Sequence, residues 1–142
     1  MASFSIFDIS GSAMSAQSVR LNTVASNMAN VDVVSPTPEG AYRAKQPVFQ
    51  AVLDSMGQNM GQNTGKVPVR VTEIRESKAE PMQEYAPSHP QANAEGYIYR
   101  SNVNVVEQMA DMMSASRNYQ TNVDVLNTVK RLMLSTLRLG QQ

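Results

Sequence analysis

The chain has 142 residues, twelve basic and twelve acidic, a formal net charge of zero and no cysteine. That is one domain-sized chain with no electrostatic bias toward nucleic acid or an anionic membrane, and with no disulfide framework, thiolate chemistry or zinc–cysteine site. No apolar run has the length needed to span a bilayer, and no basic leader followed by an apolar block marks a cleaved secretory signal.

Residues 1–31 are free of proline and carry one acid, Asp8, and one base, Arg20. Phe7, Met14, Leu21, Val24, Met28 and Val31 recur at helical spacing, with Ser10 and Gln17 in the polar slots of the same seam. Ser5 with Asp8 offers a helix start, and Gly11 is the one weak interior residue. Most other positions are Ser, Thr, Asn and Gln, whereas a solvated helix face ordinarily carries more charge. The expectation is a helix covered on several sides by neighbouring chains. The bland alternative is one arm of a monomeric hairpin that happens to be poor in charge.

The helical pattern stops at Asn30 to Asp32, because Pro36 and Pro38 exclude helix and Glu39-Gly40 reads as a turn. From Tyr42 to Leu53 the chain is expected to be extended at first, with Val48, Phe49, Val52 and Leu53 able to pack and a helical turn equally open at its end. Residues 55–65, rich in Gly, Asn and Gln, read as a mobile loop tip. Val67, Val69 and Val71 alternate with Lys66, Pro68 and Arg70, the pattern of a strand, and Pro68 argues for a sheet edge. Ile74 breaks the parity, so a bulge or strand end is expected near Thr72 and Glu73. Residues 78–95, with Pro81, Pro87 and Pro90, read as an irregular connection, and Tyr97-Ile98-Tyr99 as a short strand.

From Asn102 to Leu139 there is neither proline nor glycine. Val105, Met109, Met112, Tyr119, Val123, Leu126, Met133 and Leu137 fall at alternating spacings of four and three, with Ser116 and Lys130 in the two off-pattern slots. The spacing predicts a helix of about 50–55 Å whose narrow stripe needs a partner helix, as in a coiled coil. Asn104 with Glu107 forms a capping pair, Gly140 offers a left-handed cap, and Glu107 and Asp111 lie early while Lys130, Arg131 and Arg138 lie late. The fold class expected is therefore mainly α with a small β insert. Residues 1–31 and 102–140 pair as an antiparallel coiled coil, bringing positions 31 and 103 together, and 32–101 form an insert, β-rich over 42–100 and too small for a large core.

Catalytic candidates are thin. His89 is the single histidine, with no second ligand beside it. Glu73, Glu76, Glu80 and Glu84 alternate with Arg70, Arg75 and Lys78, the character of a solvated mixed-charge surface rather than of two carboxylates across a cleft. No phosphate-binding loop, nucleophile elbow or metal-binding helix motif occurs. Several of the ten methionines sit on the helical seams, where they read as gap fillers. The chain reads as a non-enzyme, with no cofactor and no small-molecule substrate.

Leu21, Ala25, Asn27, Ala29 and Asn30, followed by Gly40, Tyr42 and Arg43, resemble the signature of the flagellar rod and hook proteins. Ala41 separates the glycine from the tyrosine, and the longer SPTPEG spacer resembles the proximal-rod members in particular. The C-terminal helix looks like theirs too, so the resemblance covers both ends and about half of the chain. It implies a structural subunit of the bacterial flagellar basal-body rod, with both terminal helices packed as a coiled coil in the core of a tube that crosses the periplasm and transmits torque. Implied partners are copies of itself, other rod proteins, the rod-base adaptor, the flagellar type III export apparatus that passes the chain unfolded, and the membrane-embedded ring. Two other readings stay open: an insert that acts on peptidoglycan or guides an enzyme to it, and a soluble helical adaptor.

Overall fold

The computed structural model describes residues 2–52 and 67–139, with side chains of the first helix from Ile6 onward. The expected loop tip at 55–65 and the Gly140 cap lie outside the described residues, whereas the expected helix start at Ser5 is corrected, because α1 already begins at Ala2. Two long helices, α1 (Ala2–Ala29) and α2 (Val105–Leu139), bracket five short strands. Those are β1 (Val34–Ser35), β2 (Lys45–Ala51), β3 (Val69–Glu76), β4 (Met82–Tyr85) and β5 (Tyr97–Arg100).

α1 and α2 lie side by side and antiparallel: Arg20 is ion-paired with Asp111, and further along α1 Asn27 donates to Gln108 at 2.9 Å. The junction closes where Ser101 Oγ donates to the Val31 carbonyl at 2.8 Å. α1 ends before the expected boundary at 31, in turns that pair the N–H groups of Asn30 and Val31 with the carbonyls of Asn27 and Met28. The Asn30 side chain returns to the Ser26 carbonyl at 2.7 Å, satisfying an orphan acceptor of the last turn. α2 starts at Val105 because Asn104 caps it, its Oδ1 accepting from Val106 N–H at 3.0 Å.

β2 and β3 form an antiparallel two-stranded ribbon. Val48 faces Glu73 but Phe49 faces Val71, leaving Thr72 as the extra residue of a bulge at the expected place. The second sheet has the order β1-β5-β4. Here the expectation of an irregular connection over 78–95 is corrected: Met82–Tyr85 is a strand paired with β5. All four of its residues are exposed, so no in–out alternation advertises it. The turn into β5 is set by Gly96, whose φ of 82° suits glycine, and by Asn93 Oδ1, which accepts from the N–H groups of Glu95 and Tyr97.

The ribbon lies along α1. Ser12 and Asn27 are about 22 Å apart on the helix, and the seven residues of β2 span about 23 Å. At one end Ser12 Oγ accepts from Val69 N–H at 3.2 Å, and at the other Asn27 binds Lys45. α1 therefore has α2 on one side and the ribbon on another, which accounts for part of its lack of charge within a single chain.

Candidate assembly surface

The buried residues are mostly small or polar, with Ile98 the one large apolar side chain among them: Ala16, Val24, Ala41, Ala44, Ile98, Val103 and Ala115, with Ser10, Thr23, Asn27, Ser35, Ser101 and Gln108. Close approach of two helices requires small side chains between them. Ala115 is fully buried at 0 % exposure, and Ala16 and Val24 are buried on α1. On α2 the covered stripe runs through half-buried Val105, buried Gln108, half-buried Met112 and buried Ala115. It shares Val105 and Met112 with the expected seam but turns through Gln108 and Ala115 where the seam had Met109 and Ser116.

Of the other expected seam residues, Phe7, Met14, Leu21, Met28 and Val31 on or beside α1 are half-buried, as are Val123, Leu126 and Met133 on α2. Met109, Tyr119 and Leu137 are exposed. Beyond Ala115 no residue of α2 is buried. In its last turns Leu132, Leu134, Leu137 and Leu139 are all exposed, Leu137 at 64 %. These leucines point in different directions around the helix, so the end of α2 is apolar on several sides. Helices of that kind are buried in larger structures. Val106, Met109 and Met113 form a further exposed apolar stripe on its first half.

The signature residues fall into two groups. Asn27, Gly40 and Tyr42 build the junction between helices and insert. Asn27, at 0 % exposure the largest fully buried side chain, accepts from Tyr42 Oη at 3.0 Å and from Lys45 N–H at 2.8 Å. Gly40 lies where a Cβ would come within 2.6 Å of Ser35 Oγ. Leu21 and Arg43 are half-buried, Asn30 closes α1, and Ala25 and Ala29 are exposed. Sequence reasoning missed Gln108, Ala115, Ser101 and Asn102; Asn102 accepts from Ala44 N–H at 2.7 Å and donates to the Ala79 carbonyl at 2.8 Å. Its place directly before a capped helix was the available signal.

Three carboxylates of the insert, Asp32, Glu73 and Glu84, are held in surface ion pairs. Glu73 pairs with Arg75, and Arg100 bridges Glu84 and Asp32 at 3.2 and 3.1 Å. Among the described residues no group of three or more His, Asp or Glu could hold a metal ion, and no helix is long and apolar enough to cross a membrane. His89 Nδ1 accepts from the Gln91 N–H in its own turn.

Residues 7–37 match the family model described as flagella basal body rod protein, and residues 94–139 match the C-terminal model of the flagellar basal body rod FlgEFG proteins. Over 141 residues the chain is 52 % identical to the flagellar basal-body rod protein FlgC of Salmonella typhimurium and 50 % identical to that of Escherichia coli O6:H1. Each alignment covers 99 % of this chain and 100 % of the relative. The FlgC protein of Bacillus subtilis is 32 % identical over 153 aligned residues, with the same coverage.

Proposed function

This chain belongs to the FlgC family of flagellar basal-body rod proteins, and on that premise we propose that it is a structural subunit of the proximal rod that works by burying its terminal helices against copies of itself and other rod proteins. The observation that carries the mechanism is the end of α2, where Leu132, Leu134, Leu137 and Leu139 face solvent in the single chain. Contiguous exposed leucines on a long helix are stabilised only by apolar cover. The α1–α2 pair serves as a coiled-coil core, and the half-buried seam residues Leu126 and Met133 are completed by neighbours. The rod-base adaptor, the membrane-embedded ring and the type III export apparatus are its further partners on the way to and within a rod that crosses the periplasm.

The role is mechanical, not enzymatic. A rod resists twist when interlocked helices and a rigidly attached insert leave no soft joint, which needs no reacting group. Glu73 and Glu84, the carboxylates an enzymatic insert would use, are exposed and tied to arginines, so they read as surface charge. Glu73→Gln and Glu84→Gln should each leave swimming unchanged.

The test places charge on the seam. Val24→Asp and Leu126→Asp each put a carboxylate at a helix contact, at a cost of several kcal/mol when it is left unpaired. Both strains should make the protein and fail to swim, while Gln91→Glu in an exposed turn should swim normally. Equal swimming by all three would refute the helices as assembly surfaces.

A further inference from the structure

Asn27 makes more hydrogen bonds than the end of a helix requires. Its Nδ2 donates to the Lys45 carbonyl at 2.8 Å while its Oδ1 accepts from the Lys45 N–H, also at 2.8 Å. Both backbone groups of one strand residue are thus engaged by one side-chain amide, as a residue of a neighbouring strand would engage them. The remaining capacity is filled by Gln108 Oε1 at 2.9 Å and Tyr42 Oη at 3.0 Å. Two donors and two acceptor sites are all used, in a side chain at 0 % exposure. The orientation of the amide is set by chemistry, because Lys45 N–H can only donate and its carbonyl can only accept. One residue of α1 thereby holds α2, the signature tyrosine and the first residue of β2.

We propose that Asn27 is the positioning residue of the joint: its amide stands in for a strand residue at the edge of β2 and fixes the orientation of the insert on the helical pair. The role in assembly rests on the reading of the chain as a rod subunit; the role in the joint does not. Without Asn27 the Lys45 N–H and carbonyl would open as an unpaired edge, able to pair with a strand of another copy. The insert would also lose a tie to both helices at once. At the other end of the ribbon Ser12 Oγ accepts from Val69 N–H while donating to the Ile9 carbonyl within α1, and Ala44 is held separately by Asn102.

Two variants of the full chain test this. In Asn27→Ala, amide exchange at Lys45 should quicken about tenfold, the loss of one ordinary hydrogen bond. Exchange at Ala44, whose N–H is held by Asn102, should stay as in the native chain. Asn27→Asp keeps the volume and both accepted bonds but turns an oxygen toward the Lys45 carbonyl. It should retain native helix content by circular dichroism and abolish swimming, whereas Asn22→Asp, the same change at an exposed position of α1, should swim. Equal acceleration at Ala44 and Lys45 would mean general loosening and overturn the joint. Native swimming by Asn27→Asp, with Val24→Asp non-motile, would overturn its role in assembly and leave the rod reading standing. Swimming by both would overturn the rod reading itself.

Discussion

Small and polar side chains do the packing in this protein, and single residues carry correspondingly sharp consequences. Ala115 is fully buried, so Ala115→Leu should cost about 1–3 kcal/mol in urea unfolding of the free chain through overpacking. Met109, six residues away and 49 % exposed, should be replaceable by Ala within about 0.5 kcal/mol in the same measurement. A larger penalty at Met109 than at Ala115 would restore the stripe expected from the sequence. Asn104→Ala removes the acceptor for the first free N–H groups of α2 and should cost about 1 kcal/mol. The one-residue displacement of the seam is instructive. Methionine and tyrosine dominate any reading of apolar periodicity, yet a close helix contact selects alanine and admits glutamine when asparagine waits to meet it.

At the scale of elements, legibility followed pattern strength. Both helices were readable from the absence of proline and from their spacing, and α2 also from its lack of glycine and its Asn104 cap. The bulge at Thr72 was readable because Ile74 breaks the parity set by Val69 and Val71. β4 was not, since Met82 to Tyr85 lies exposed on both faces between prolines and owes its strand geometry to pairing with β5. Nor was the ribbon's seat on α1, which depends on Ser12 and Asn27 meeting strands distant in sequence. Gly96 was passed over as well. With φ at 82° and Tyr85 Cε2 2.9 Å from where a Cβ would stand, Gly96→Ala should strain the β4–β5 turn by about 1–2 kcal/mol. Thermal unfolding of the variant against the native chain reads this directly, and an unchanged midpoint would show that the turn relaxes.

For the whole molecule, surface area states the problem that assembly solves. The chain exposes 10482 Å², against roughly 7,200 Å² for a compact monomer of 15.5 kDa. An elongated helical pair exposes more surface than a compact globule, and the leucines at the end of α2 are the part an assembly would cover. Such a subunit is a component awaiting neighbours rather than a finished globule. In the proposed rod, torque passes through helices packed on all sides, and the proposed joint at Asn27 keeps the insert from swinging. The absence of cysteine allows a clean measurement at the most exposed part of that design. Leu137→Cys should react rapidly with a maleimide in the free chain and be strongly protected in purified basal bodies that contain the same variant. Equally rapid labelling in both would show that the end of α2 stays open in the rod, and would contradict the account.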